Sequence, residues 1–283
     1  MGELGVDTAV QQVADGCFTA QLNEDWRIWG PNGGYLGAIA LRAAGAAATK
    51  PRPASIAVHF LGVAAFEPVD LEVTTLRATR RTESLRVSMT QGGKPIIEAM
   101  VWAVADELEP LEHQHAVMPD VPAADTIPTM EERMAAAGNE GPPFPFWVNI
   151  DNRGLQWRDD WPPPEPLPPE GHWWCRFRPA ATFADRWIDA GRSFVLADTF
   201  GWPAASAAHA WRVGENGQPQ FMAPNIDIHV TFHGFDTDEE WLLVDAVSPV
   251  GGEGLLGGNV LVWSPNGRLL ASGNQTMLVS RYS

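Results

Sequence analysis

The alternation of hydrophobic and polar positions predicts two regions of regular structure in this chain. In the first region, residues 35–48 are Ala-rich and apolar on nearly every side, which is typical of a helix buried all round. Four extended segments follow, and apolar residues recur at every second position most clearly in the last two. These segments cover residues 54–61, 69–80, 84–91 and 95–105, with Gly92–Gly93 as a hairpin turn.

The second region repeats this order of one helix followed by strands. A helical pattern begins near Phe194 and runs to Trp211, and Pro203 is expected to kink this helix or to end its first part. Asn266–Gly267 supplies a strong hairpin turn between the last two strands. The predicted strands cover residues 225–233, 240–248, 257–264 and 268–280.

The two regions can be aligned with each other. SIAVHF at 55–60 aligns with NIDIHV at 225–230, which pairs His59 with His229, and residues 92–101 align with 266–275. We interpret the alignment as an internal duplication. Between the two regions, residues 119–169 contain twelve of the 24 prolines and include Pro162–Pro164. Part of this stretch must be loop.

These elements predict the class and the domain organisation. One long helix wrapped by a curved antiparallel sheet is the hotdog arrangement, so two copies predict an α+β tandem, or double, hotdog. We predict an N-terminal domain at 1–106, an acidic, proline-containing connector at 107–143 and a C-terminal domain at 144–283. Pairing the two sheets edge to edge would protect strand edges that a single copy leaves exposed.

Composition narrows the classes of function. A formal net charge of −16 disfavours binding to nucleic acid or to anionic lipid, and no apolar run reaches the ~20 residues of a membrane span. The two cysteines, Cys17 and Cys175, lack CxxC spacing, and the acidic N-terminus lacks the features of a signal peptide. A cytoplasmic location is therefore expected.

Several strings across the chain resemble those of TesB-like (type II) acyl-CoA thioesterases. In the first half they are Trp29–Gly30, NGGYLGAIALRAA and LEVTTLRATRRTESLRVSMTQGGKPI. In the second half they are VLADTFGWP, NIDIHVTFH and GRLLASGNQ. The resemblance implies hydrolysis of fatty or other acyl-CoA to free acid and CoA, a place in fatty acid metabolism, no metal or organic cofactor, and a homodimer or higher homo-oligomer.

The resemblance also implies three catalytic residues. In that family an Asp on the second helix, a Thr or Ser at the start of the next strand and a Gln on the last strand hold the attacking water. The Asp corresponds to Asp198 and the Gln to Gln275, whereas the hydroxyl position is occupied by Asn225. An amide can orient a water molecule, but it cannot relay a proton as a hydroxyl does. The departure puts the rate, and the activity itself, in question.

The residues themselves are compatible with this chemistry. Thioester hydrolysis needs a base for a water proton and donors that face the developing oxyanion. Asp198 lies in an apolar helical run, where desolvation raises a carboxyl pKa, and Gln275 lies among small and apolar residues. The turn Asn32–Gly33–Gly34 is a candidate substrate-binding segment, because backbone N–H groups at a helix start bind anions. Since CoA is anionic, a basic group is also needed, and Arg77, Arg80, Arg81 and Arg86 form the dense candidate.

Alternative interpretations stay open at this stage. Asp198 could be a helix carboxylate satisfied by backbone amides, Gln275 a core amide and Asn225 a turn residue after Pro224. A non-catalytic acyl-CoA or acyl-carrier binding protein and a hotdog hydratase or dehydratase are the rival functions, the latter requiring an Asp/His pair. The GxGxxG string at 252–257 precedes a predicted strand rather than a helix, so a dinucleotide site is rejected.

Overall fold

The computed structural model describes residues 1–109, 111–138, 141–158, 165–209 and 220–281. Within these ranges the helices are α1 Leu4–Asp7, α2 Gly33–Ala47, α3 Met130–Ala136 and α4 Arg186–Ala207. None of the helices in these ranges is long and apolar enough to cross a membrane. The strands are β1 Gln11–Ala14, β2 Cys17–Gln21, β3 Arg52–Phe60, β4 Pro68–Ala78, β5 Thr82–Gln91, β6 Lys94–Val104, β7 Ile150–Gly154, β8 Glu170–Phe177, β9 Phe221–Met222, β10 Asn225–Phe232, β11 Trp241–Val247, β12 Gly251–Gly252, β13 Leu255–Trp263, β14 Leu269–Leu278 and β15 Ser280–Arg281.

The predicted helix of the first half and all eight predicted strands are confirmed, with ends that differ by two residues or fewer. The second helix differs more. It begins at Arg186, where the Asp185 side chain accepts a hydrogen bond from the Trp187 N–H at 2.8 Å. It also continues through Pro203 to Ala207, so the expectation that Pro203 ends its first part is wrong. Residues 162–164 and 210–211 lie outside the described residues.

Helix α4 continues past Pro203 because the stabilisation from tertiary packing outweighs the loss of one backbone hydrogen bond. Phe194 to Gly201 and then Ala204 and Ala205 are buried, so α4 is held on several sides. Sequence patterns also missed the strands that precede each helix, β1 and β2 in the first half and β7 and β8 in the second. All four residues of β1 are exposed, and β7 starts with three consecutive buried residues, so neither strand shows alternation.

One antiparallel sheet runs through both halves. Its strand order is β1-β2-β4-β5-β6-β3-β10-β14-β13-β11-β8-β7, with β12 paired to β13. The two halves meet where β3 pairs with β10, and there Val58 lies directly opposite Ile228. These two residues are equivalent in the internal alignment, so the pairing has the twofold relation expected of a duplicated unit. The fold is the α+β tandem hotdog, and edge-to-edge pairing of the sheets is confirmed.

The two central helices pack against each other in antiparallel orientation inside the curved sheet. Gly34 of α2 adjoins Val195 of α4, and Gly45 near the other end of α2 adjoins Trp187. Gly37 allows the closest approach, because a side chain there would occupy the position of the Phe194 ring. The start of α2 is thereby brought against the middle of α4.

The connector covers the outer face of the second half. Ala124 and Ile127 pack on Trp174, Leu243 and Trp263. The Trp174 indole N–H donates to the carbonyl of Pro122 at 2.8 Å, and Arg153 donates to the carbonyl of Ala124 at 2.7 Å. The domain limits at 106 and 143 stay a prediction, since the connector packs as part of the second half.

Candidate active site

The candidate site lies where the start of α2 meets the middle of α4, so each half contributes one wall. Asp198 of α4 is buried, with 7% of its surface exposed. A side chain added to Gly33 would lie 3.0 Å from Asp198 Oδ2 and 3.0 Å from the ring of Phe60. Gly33 and Phe60 are themselves half-buried. Asp198 Oδ2 therefore lies close to the half-buried Gly33 and Phe60.

Asn225, the first residue of β10, fixes the other carboxylate oxygen. Its amide nitrogen donates to Asp198 Oδ1 at 2.7 Å and lies 2.9 Å from both the backbone carbonyl of Asp198 and Gln275 Oε1. An amide nitrogen carries two protons, so three acceptors fully occupy it. The fixed carbonyl of Asp198 sets the orientation of the Asn225 amide with nitrogen toward α4. The three side chains thus form one connected network.

The Gln275 amide has two orientations of similar quality. With its oxygen toward Asn225, it accepts from that amide, but its NH₂ lies against the Gly201 N–H. Turned over, its oxygen accepts from the Gly201 N–H at 3.1 Å and its nitrogen donates to the Asp198 carbonyl at 3.2 Å, but now faces the Asn225 nitrogen. Each orientation leaves one contact between two nitrogens. Gln275 bonds to Asn225 of β10 in the first orientation and to α4 in the second.

Two glycines make room for the Gln275 side chain. A side chain at Gly201 would overlap the Gln275 amide, and one at Gly258 on β13 would lie 2.8 Å from its nitrogen. The amide is 2% exposed, so it has no space to move aside. Sequence reasoning did not identify either glycine, although Gly201 lies in the TFGWP string three residues after Asp198.

The environment of Asp198 suits a base. Burial raises its pKa to about 6, while hydrogen bonds from Asn225 and from the Gly34 N–H act in the opposite direction. Desolvation therefore outweighs the hydrogen bonds that favour the charged form. A carboxyl with a pKa near 6 is ionised at neutral pH and still accepts a proton readily.

Asn32 organises the start of α2. Its Oδ1 accepts from the Tyr35 N–H at 2.9 Å, and its carbonyl accepts from the Leu36 N–H at 3.1 Å. The Gly34 N–H is directed at Asp198. Within the described residues, the Gly33 N–H has no protein acceptor, and it lies at the positive end of the helix. It is therefore a backbone donor beside Asp198 without a protein partner in the described part of the chain.

Comparison with known protein families identifies the chain. Residues 22–104 match the acyl-CoA thioesterase N-terminal domain, and residues 120–279 match the acyl-CoA thioesterase C-terminal domain. The chain belongs to the acyl-CoA thioesterase family. It is accordingly a thioester hydrolase that acts on acyl-CoA. No curated protein matches the sequence.

Several solved structures share the fold over nearly the whole chain. A TesB protein of Mycobacterium avium subspecies paratuberculosis is 22% identical, with 98% of both chains covered and a TM-score of 0.76. The acyl-CoA thioesterase II TesB2 of Mycobacterium marinum is 20% identical, with 99% of both chains covered and a TM-score of 0.78. The dehydratase domain of PpsC from Mycobacterium tuberculosis, solved with C12:1-CoA, is 17% identical with a TM-score of 0.52 and coverage of 96% and 97%.

The thioesterase structure brings together the six residues singled out in the sequence. The three residues of the second half form the network, and the turn Asn32–Gly33–Gly34 lies against it. Their catalytic and binding roles stay predictions. Thr199, whose hydroxyl accepts from Asn32 at 3.2 Å, was missed, because nothing in a linear pattern links residues 167 positions apart.

Two other groups from the sequence analysis lie away from Asp198. Strand register places Arg80 and Arg81, in the turn between β4 and β5, beyond the level of Arg52, which lies eight residues along β3 from Phe60, or about 26 Å. Arg77 is level with Ser55 and Arg86 with Ala57. Arg86 pairs with Glu98 at 3.0 Å. Within one chain, Arg80 and Arg81 do not flank the site. His59 and His229 lie exposed on the outer face of the sheet, so they do not supply the Asp/His pair of a dehydratase.

Proposed function

We propose that Asp198 is the general base of acyl-CoA hydrolysis and that it activates a water molecule bound at its Oδ2, beside Gly33. This proposal rests on one observation: the two carboxylate oxygens of Asp198 have different neighbours. Asn225 donates to Oδ1 at 2.7 Å, whereas Oδ2 faces the half-buried Gly33. A base needs one lone pair directed at the water and a fixed orientation.

The reaction then proceeds without a covalent intermediate. Asp198 takes a proton from water as the hydroxide forms a bond to the thioester carbonyl carbon. The carbonyl oxygen becomes an oxyanion and accepts from the Gly33 N–H at the start of α2. Collapse of this intermediate breaks the carbon–sulfur bond, and the proton held by Asp198 passes to the CoA thiolate. The products are a free acid and CoA.

Asn225 and Gln275 have positioning roles in this scheme. The family pattern implies a hydroxyl at position 225, from which water would bridge to the Asp and the Gln. Here the asparagine side chain is longer than that of serine or threonine, and its amide nitrogen contacts both Asp198 and Gln275 directly. The nitrogen therefore takes the place of the bridging water molecule as the donor. We infer that Asn225 orients Asp198 directly and that the attacking water lies on the opposite side of the carboxylate.

Release of free CoA tests the activity and the base together. Purified protein is incubated with a chain-length series of acyl-CoAs and a thiol reagent, alongside Asp198→Asn. We expect CoA release by the wild type to exceed that of the variant by about 10²–10⁴-fold, the usual contribution of a general base. Equal rates would remove Asp198 from the role of base. Binding of acyl-CoA without release at any chain length would favour a non-catalytic binding protein.

The physiological setting follows as a further proposal. We infer a role in fatty acid metabolism in the cytoplasm, and we propose a homodimer or higher homo-oligomer. The unpaired thiols Cys17 and Cys175 support a reducing compartment. Exposed Met100 and Trp102 on the first half support association between copies. Light scattering of the purified protein measures the oligomeric state.

A further inference from the structure

One side chain joins the candidate donor of the first half to the candidate base of the second. Asn32 Oδ1 accepts from the Tyr35 N–H at 2.9 Å, and its Nδ2 donates to Thr199 Oγ1 at 3.2 Å. The backbone of Asn32 is fixed as well, because its N–H donates to the Trp26 carbonyl at 3.0 Å. Asn32 and Thr199 are both buried, so water does not compete for this bond.

Each end of the bridge is next in sequence to a group of the proposed reaction. Gly33 follows Asn32, and Asp198 precedes Thr199. This hydrogen bond ties the peptide that carries the oxyanion donor to the turn of α4 that carries the base, in addition to the Gly34 N–H directed at Asp198. Pairing of β3 with β10 aligns the two sheets, whereas side-chain packing between the helices specifies position less sharply than a directional bond.

The choice of asparagine is more specific than helix capping requires. Capping α2 needs only an acceptor, which serine, threonine or aspartate would supply equally well. Asparagine accepts at the cap with its oxygen and donates to a hydroxyl across the interface with its separate nitrogen, over a longer reach than a serine or threonine hydroxyl has. An amide is also neutral, whereas a carboxylate here would place a second negative charge near Asp198.

We propose that Asn32 and Thr199 form a positioning pair that sets the spacing between the Gly33 N–H and Asp198. The proposal rests on the proposed function, since it assigns the pair to that site. Catalysis is sensitive to such spacing, because a displacement of about 1 Å can lower a rate about 10²-fold. Neither residue of the pair needs to contact the reacting atoms.

Four variants separate positioning from simple support of the fold. Asn32→Ser keeps the cap and removes the bridging donor, and Thr199→Val removes the bridging acceptor at nearly constant volume. Thr199→Ser keeps the hydroxyl. Asp185→Ser changes the cap of α4 at its far end, where the side chain accepts from Trp187, and serves as the matched control.

The measurements are kcat, KM and the midpoint of thermal unfolding with one acyl-CoA. For Asn32→Ser and Thr199→Val we expect kcat to fall about tenfold or more, with KM within about twofold and the unfolding midpoint near that of the wild type. Thr199→Ser should recover most of kcat, and Asp185→Ser should keep it. A fifth variant, Asn32→Asp, should move the acidic limb of the pH–rate profile to higher pH, because the new charge disfavours ionisation of Asp198.

The possible failures are distinguishable. If the wild type hydrolyses acyl-CoA but Thr199→Val keeps its kcat and loses only thermal stability, the bridge supports the fold and the positioning pair is refuted. A change in KM alone would also refute it, since that result indicates substrate contact. If the wild type releases no CoA, the proposed function is refuted. The positioning role of Asn32 and Thr199 is then refuted as well, because it depends on that function.

Discussion

The two halves of the thioesterase share one fold but differ at equivalent positions of the sheet. In the first half, Val58 of β3 lies opposite Ala99 of β6, and in the second half its counterpart Ile228 lies opposite Gln275 of β14. This register differs by two residues from the sequence alignment, which pairs Gln275 with Val101. By sheet register the counterpart of Gln275 is Ala99, and by sequence alignment it is Val101. Both are buried apolar residues, whereas Gln275 is a buried amide.

The difference shows how a duplicated fold can divide one site between its copies. The second half supplies polar side chains, and the first half supplies backbone N–H groups at the start of α2. Such a division needs no polar side chain on the core-facing side of the first sheet, where burial of an amide would require partners. The twofold arrangement brings the start of one helix against the middle of the other, so both contributions meet at one place.

The outer faces of the halves differ as well. The connector buries Trp263 of the second half completely, whereas Trp102 of the first half is 45% exposed. Burial on both faces explains why strands of the second half carry large apolar residues on both sides.

The largest effect is expected from Asp198→Asn, which removes the base from the second half. The rate kcat should fall about 10³-fold, while the protein becomes more stable at neutral pH. Burial raises the pKa of Asp198 to about 6, so keeping it ionised at pH 7 costs the folded state about 3 kcal/mol. The folded form binds the proton more tightly than the unfolded form, so this cost is absent below about pH 4 and develops as pH rises to 6.

Urea denaturation at pH 4 and pH 7 measures the free energy of unfolding of the wild type and of Asp198→Asn. The variant should exceed the wild type in free energy of unfolding at pH 7 and not at pH 4. Glu98→Gln, at the first-half position opposite His59, is the control and should change neither kcat nor this pH dependence. A loss of stability at pH 7 in Asp198→Asn would contradict the assignment of a desolvated carboxylate.

The comparison of the outer faces predicts unequal costs for two tryptophan truncations. Trp263→Ala should lower the free energy of unfolding by about 3–5 kcal/mol, because it leaves a cavity under the connector. Trp102→Ala should cost less than about 1 kcal/mol, because the side chain is half exposed. Chemical denaturation of both variants measures the difference. Similar costs would mean that the first-half face is also covered in solution, for instance by a second copy.

A third prediction concerns the space that holds Gln275. Gly201→Ala places a methyl group on the Gln275 amide and should displace it, lowering kcat about 10²-fold through loss of alignment of Asp198. Gly191→Ala on the same helix is the matched control, since its methyl group would lie 3.4 Å from the Ala38 side chain, an ordinary contact. Steady-state kinetics of the two variants decide the point. Equal kcat values would show that Gln275 does not act on the site.

The pH–rate profile of the wild type is the fourth prediction. Because the base must be ionised, kcat/KM should be level above about pH 7 and fall tenfold per unit below about pH 6. Measurement with a slowly hydrolysed acyl-CoA keeps chemistry rate-limiting. A profile that stays level down to pH 4.5 would be inconsistent with Asp198 as the base.

The smallest effect is expected from Asn225→Thr. The shorter side chain leaves Asp198 Oδ1 and Gln275 without their direct donor and opens space for a water molecule between them. We expect kcat to rise up to about tenfold, the equivalent of one hydrogen bond in the transition state. Asn225→Leu, which has similar volume and no donor, should lower kcat. If the threonine variant is slower as well, direct orientation by the amide is essential in this chain.

Much of the fold could be predicted from periodicity, because strands with one buried face alternate visibly and the Ala-rich run at 35–48 can only be a buried helix. The strands β1 and β7 could not be predicted, since exposure or burial on both faces removes alternation. The course of α4 through Pro203 could not be predicted either. Local chemistry predicts a break there, and only packing against α2 and the sheet reverses that preference.

The duplicated helix-and-strand order, the acyl-CoA thioesterase family and the six residues of the candidate site could all be predicted from the amino-acid sequence. These depend on local patterns and on strings that are readable along one chain. The contacts between their atoms depend on the folded chain: Asn225 contacts both Asp198 and Gln275, and Asn32 contacts Thr199 across the interface. Those contacts join residues far apart in sequence, and their geometry depends on strand register and helix packing, which no local pattern specifies.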